Sequence, residues 1–203
     1  RRNPEGSGEG PLRLDGEALE LLSLKLNGEV LTDEQGSLDE QGLTLTDPPN
    51  NLRLEVETRI NPEGNTGLSG LYRSSGMFCT QCEAEGFRRI TYYPDRPDVM
   101  ARFSTTIIGD MASCPVMLSN GNRVAMGQRE DGRHWVKWKD PYRKPAYLFA
   151  LVAGDLAHIQ DSFKTRSGRD VVLRIYTEAH NVARCEHAMA SLKRAMAWDE
   201  EVF

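Results

Sequence analysis

No apolar run in this sequence approaches the ~18 residues that a membrane-spanning helix needs. A membrane partner is therefore not expected. An excess of basic residues is missing too: 25 Lys and Arg face 30 Asp and Glu, for a formal net charge of −5. That argues against a nucleic-acid partner, which would call for a basic patch. Cysteine is scarce, with Cys79, Cys82, Cys114 and Cys185 among 203 residues. So few, so scattered, do not make the dense framework of a small secreted scaffold, and the expected compartment is the reducing cytoplasm. No starting Met stands at residue 1, and no signal peptide is visible there. It opens Arg1-Arg2-Asn3-Pro4-Glu5-Gly6, which reads as a loop inside a larger structure. Internal repeats and low-complexity segments are absent.

Catalytic signatures are equally scarce. No His-Glu-x-x-His places two metal ligands and a base on one helix face. His134, His158, His180 and His187 are scattered and read as surface or linker residues. There is no Gly-x-Ser-x-Gly elbow and no glycine-rich phosphate loop. Cys79-Thr80-Gln81-Cys82 is a Cys-x-x-Cys without the second pair that a structural zinc site requires. The acids that follow it would raise a thiol pKa rather than activate the thiol. The chain is thus expected to hold no catalytic residue and no metal-ligand set.

What is present suits a globular β protein. Hydrophobic residues make up 39% and charged residues 27%, an ordinary balance. Apolar and polar residues alternate at Leu12-Arg13-Leu14, at Leu22, Leu24 and Leu26, at Leu43-Thr44-Leu45-Thr46 and at Leu52-Arg53-Leu54-Glu55-Val56. Alternation predicts strands with one face buried, and Asn27-Gly28 predicts a hairpin turn. Further strands are predicted around Ile107, Met117, Val124, Trp135 and Val171. The apolar run over residues 146–153 predicts a strand buried on both faces. From Arg184 to Glu201 the period becomes helical, with Ala188, Leu192, Ala195, Met196 and Trp198 as the apolar stripe. The fold class expected is mostly β with one terminal helix.

One segment offers recognition chemistry: Gln81-Cys82-Glu83-Ala84-Glu85-Gly86-Phe87-Arg88-Arg89. If it is extended, Gln81, Glu83 and Glu85 share a face. An amide oxygen and two carboxylates suit a cationic amine. One carboxylate–ammonium contact at ~4 Å is worth about 4 kcal/mol at an effective dielectric near 20, before desolvation. A solvated acidic loop balanced by Arg88 and Arg89 fits the same residues, and on their chemistry alone it is the better bet, since charge clusters are usually surface features.

Long stretches resemble the N-terminal domain of the bacterial aminopeptidase N family. They include Gly70-Leu71-Tyr72, the run from Cys79-Thr80-Gln81-Cys82 through Ile90-Thr91-Tyr92-Tyr93, and Asp95-Arg96-Pro97-Asp98-Val99. Lys144-Pro145-Ala146-Tyr147-Leu148-Phe149, Thr165-Arg166-Ser167-Gly168-Arg169 and Trp198-Asp199-Glu200-Glu201 continue it in order. The resemblance is close from about residue 51 onward and looser before.

It implies a zinc-dependent exopeptidase that removes single residues from peptide N-termini. It implies a saddle-like antiparallel β domain, sheet or sandwich, over residues 1–155. Residues 156–203 would be a short hairpin and the helix that begins a thermolysin-like catalytic domain. A Gln-x-Glu loop of the first domain would bind the substrate's free α-amine, and here those positions match Gln81 and Glu83. Glu85 lies beyond the pair and takes a supporting role. The zinc ligands, catalytic glutamate, Gly-Ala-Met-Glu-Asn motif and oxyanion tyrosine belong further downstream, so zinc is implied for the parent enzyme and not for this chain. The partners implied are peptide N-termini and the downstream catalytic domain. With that context the acidic loop is expected to be a recognition element. The rival expectation is a stand-alone β-sandwich binding module whose acidic loop is surface decoration.

Overall fold

The computed structural model describes residues 10–203, so the loop expected over residues 1–6 lies outside the described part. Fifteen strands in five antiparallel sheets form the framework of the described chain.

The front third contains β1 (Leu12–Asp15), β2 (Glu20–Leu26), β3 (Glu29–Val30), β4 (Gly36–Asp39), β5 (Gly42–Leu45) and β6 (Leu54–Arg59). They form two three-stranded sheets, ordered β1-β5-β4 and β3-β2-β6. The sheets pack through Leu14, Leu43 and Leu45, against which Leu24 and Leu54 lie. Leu43 and Leu45 are completely buried, as the period-two pattern requires of an inward face. Asn27 and Gly28 both have positive φ, 54° and 94°. That is the turn an Asn-Gly pair is suited to make. The Leu22-Leu24-Leu26 parity fails at one point. The β2–β6 register shifts between Leu21 and Ser23, and Leu22 is turned out, 42% exposed. A bulge of this kind re-aims one side chain.

The middle third contains β7 (Gly70–Ser74), β8 (Met77–Gln81), β9 (Ser104–Gly109), β10 (Val116–Ser119), β11 (Asn122–Gln128), β12 (His134–Lys139) and β13 (Leu151–Gly154). The sheet β10-β13-β8-β7 faces the sheet β11-β12-β9. Met117 and Ala153 on one side meet Ile107 and Val136 on the other, with Phe78, Trp138 and Leu151 packed around them. The two-sided strand expected over residues 146–153 does not form as such. Ala146–Leu148 is a 3-10 turn and only Leu151–Gly154 is strand. The Asn120 side chain bonds Leu148 O at 3.0 Å and Ala150 N at 2.7 Å, which satisfies the backbone there without a ladder. Leu148 is consequently half exposed.

The end of the chain is a long hairpin, β14 (Ala157–Lys164) with β15 (Asp170–Thr177), then a 3-10 turn and α1 (Glu186–Val202). The helix lies on the hairpin by a different face from the one expected. Met189 is its buried residue, and Lys193, Met196, Ala197 and Glu200 are half-buried. Ala188, Leu192, Ala195 and Trp198 are exposed. Polar contacts set this orientation: Lys193 Nζ reaches Asp161 Oδ2 at 2.7 Å, and Arg166 N donates to Glu200 Oε2 at 2.9 Å.

Between the two sheet pairs sits a third core. Phe87 and Ala146 are buried there with Cys82, and Ile90, Tyr93, Phe103 and Phe149 pack around them. Phe87 meets Tyr93, Phe103 and Phe149 edge-on, with centroids 5.0, 5.8 and 5.2 Å away. Such contacts add about 0.5–1.5 kcal/mol each beyond area burial. This core underlies the acidic segment.

Candidate functional site

The segment begins at the end of β8. Gln81 is the last strand residue and is exposed. Cys82 then turns inward, 2% exposed. Glu83, Ala84 and Glu85 come back to the surface as a turn, and Gly86 and Phe87 go under again. The turn closes by a bond from Gly86 N to Cys82 O at 2.8 Å. Only glycine suits position 86, because a Cβ there would lie 2.2 Å from Gln81 O and 2.8 Å from Cys82 Cα. The Glu83–Ala84 peptide is cis. The loop is thus pinned at both ends, by the Cys82 thiol and by the Phe87 ring.

This geometry corrects the extended face expected of Gln81, Glu83 and Glu85. The strand stops at Gln81, so the three side chains do not line up at period two. Glu85 is diverted: its Oε1 lies 3.3 Å from Arg88 Nη2. Glu83 is exposed, and its carboxylate has no ion pair among the described residues. Gln81 donates from Nε2 to the Glu83 carbonyl at 3.2 Å. That orients the amide and leaves Oε1 as the acceptor.

The two arginines do not balance Glu83. Arg89 pairs with Glu17. Arg88 gathers three other carboxylates: Glu85, Asp95 at 3.3 Å and Asp15 at 3.9 Å. Asp95 is 4% exposed. Its Oδ2 accepts the Arg88 backbone N–H at 3.0 Å and Arg88 Nε at 3.3 Å, and its carbonyl accepts Arg88 Nη2 at 3.1 Å. Asp95 N in turn donates to Asp15 Oδ2 at 3.1 Å. Sequence reasoning missed this ion-pair hub. The i,i+3 spacing of Glu85 and Arg88 was a visible signal, whereas the Asp15 contact spans eighty residues and had none.

Cys82 is not poised for chemistry. Burial, and then the charge of Asp95, push its thiol up to about 12. Low-pKa thiolates are the reactive ones. Cys79 lies on β8, half-buried, and all four cysteines are free. Among the histidines, His134 departs from the surface expectation. It is 7% exposed and its Nε2 bonds Cys114 O at 2.8 Å, a satisfied core residue. The other three are exposed. Among the described residues no group of three or more His, Cys, Asp or Glu could hold a metal ion.

Residues 17–148 match the family model of the peptidase M1 N-terminal domain. The chain is 53% identical to aminopeptidase N of Escherichia coli strain K12 over 98% of its own length and 22% of that protein. It is 52% identical to aminopeptidase N of Haemophilus influenzae over 95% of its length and 22% of that protein. The chain thus spans about a fifth of the curated relatives it matches. Its structure matches Legionella pneumophila aminopeptidase A, solved in complex with aspartic acid, with a TM-score of 0.91 at 39% identity, over 96% of this chain and 23% of that one. An M1 zinc metallopeptidase from Deinococcus radiodurans shares the fold at 18% identity, with a TM-score of 0.68 over 84% of this chain and 40% of that one.

Proposed function

We propose that this chain, which belongs to the peptidase M1 N-terminal domain family, is the part of a zinc aminopeptidase that binds the free α-amine of a peptide substrate. One observation carries the reading. Glu83 is the acid of the loop that no arginine neutralises, although Arg88 and Arg89 stand within six residues of it. A carboxylate left exposed and unpaired, on a turn pinned at both ends, is set to take a cation from outside. Gln81 Oε1 supplies the neutral second acceptor.

An exopeptidase has to measure the end of its substrate. A single carboxylate facing an ammonium does this by charge, because a substrate extended at its N-terminus no longer carries the ammonium at that position. Held so, the substrate presents its first peptide bond at a fixed distance from the amine, which is where orientation contributes most. The zinc chemistry, water activation and carbonyl polarisation, belongs in this reading to the rest of a longer polypeptide. Residues 1–155 form the recognition domain, and residues 156–203, the hairpin and helix, begin the catalytic domain. The free cysteines suit the reducing cytoplasm.

The test is kinetic, in the whole enzyme that contains this chain. Glu83→Gln should lower kcat/KM for aminoacyl reporters by about 1–3 kcal/mol, the worth of a hydrogen bond to a charged group. Glu85→Gln should change it by less than about twofold, because an exposed ion pair contributes little. Equal effects of the two substitutions, or none from Glu83→Gln, would overturn the assignment.

A further inference from the structure

We propose that Asp95 is a positioning residue for the amine subsite, acting through Arg88. The inference rests on the amine-binding reading of Glu83 and goes beyond it, because Asp95 itself touches no substrate.

The residues form a layered arrangement. The Asp95 carboxylate lies behind the loop, with 2% of its side chain exposed. It caps the 3-10 turn Phe87–Arg89 by accepting the Arg88 N–H and also takes the Arg88 Nε. A buried carboxylate is stable only when paired and hydrogen-bonded. Asp95 satisfies that condition with a single partner residue. Asp15 completes the frame: its Oδ2 accepts Asp95 N, and its backbone bridges Tyr93 at 2.8 and 3.0 Å. Arg88 is thereby fixed in place with its outer Nη2 on Glu85.

Two consequences follow for Glu83, two residues before Glu85. Arg88 occupies Glu85 and so keeps the loop's free acid down to one. Asp95 supplies a compensating negative charge behind the guanidinium. Without that charge the cluster around Arg88, where Glu85 and Asp15 remain paired to the guanidinium, is one unit less negative at the back of a site that must attract an ammonium. The weaker negative field then lowers the attraction for an ammonium at Glu83. Asp95 thus sets affinity for the amine and has no part in bond cleavage.

Asp95→Asn in the whole enzyme keeps the side-chain shape and an oxygen for the Arg88 amide but removes the charge. The expected result is a roughly fivefold rise in KM for an aminoacyl reporter with kcat within about twofold, the scale of removing one charge near an ion-pairing site. Arg88→Gln combined with Asp95→Asn removes both charges, and KM should return to within about twofold of the parent. A purely structural role predicts the opposite: loss of active enzyme at unchanged KM, with the double variant no better than the single. Either of those results overturns the proposal. If Asp95→Asn yields no folded protein, the double variant decides alone. A parent-like KM supports the proposal, and a KM raised as far as in Glu83→Gln overturns it. Glu83→Gln, assayed alongside, separates the two claims. If Glu83→Gln has no effect, the amine reading fails. If it has its effect while Asp95→Asn leaves KM unmoved, only the present inference fails.

Discussion

Gly86 passes so close to Gln81 that a β-carbon on it would stand 2.2 Å from the Gln81 carbonyl oxygen. The contact is backbone against backbone, so neither side can swing away. Gly86 has φ −83° and ψ −19°, an ordinary conformation for any residue. Space, and not the dihedral angle, demands glycine here. Gly86→Ala should force the loop open, at a cost of about 1–3 kcal/mol, the usual range for overpacking. Differential scanning of the chain should show a clear fall in Tm, and the whole enzyme should show a raised KM. A variant with parent Tm and parent KM would mean that the loop is not held as described.

Phe87 anchors the other end of the turn. Its ring touches three aromatic rings edge-on in the core between the sheet pairs. Phe87→Ala should destabilise the chain by about 3–5 kcal/mol, as for other buried phenylalanines. Urea unfolding measures it. A loss below about 1 kcal/mol would place the anchoring elsewhere.

Cys82 couples the loop to pH. Its folded pKa, pushed up to about 12 by burial and Asp95, lies above the ordinary thiol value of 9.0. A group whose folded pKa is raised holds its proton in the folded state after the unfolded chain has lost it. Stability from this group is therefore full below pH 9 and declines as pH rises from about 9 toward about 12. Unfolding midpoints in urea at pH 8 and pH 10 should fall more for the parent than for Cys82→Ala. At pH 8, iodoacetamide should modify half-buried Cys79 and Cys185 before buried Cys82 and Cys114. Mass mapping with Cys82 labelled first would contradict this placement.

Much of the architecture could be read from local pattern. The inward leucines of β5 and the Asn27-Gly28 turn follow from period and turn chemistry alone, because both depend on neighbours in sequence. The failures share a cause. The bulge that turns Leu22 out is set by β6, some thirty-five residues away. The apolar run over residues 146–153 breaks because Asn120, in the turn between β10 and β11, satisfies its backbone. The helix stripe was misassigned because Asp161 and Arg166 of the hairpin hold the helix by polar contacts. At the candidate site, Gln81 and Glu83 were named on resemblance, while the reason Glu83 stands alone lies in Arg88 and its long-range partner Asp15.

The most direct measurement asks whether Glu83 reads the amine itself. In the whole enzyme, inhibition constants are measured for a short peptide and for its des-amino analogue, with the parent and with Glu83→Gln. The account predicts that Glu83→Gln weakens the free-amine peptide by roughly 5- to 150-fold, the span of about 1–3 kcal/mol, and leaves the des-amino analogue within about twofold. Equal weakening of both ligands, or of neither, would contradict it.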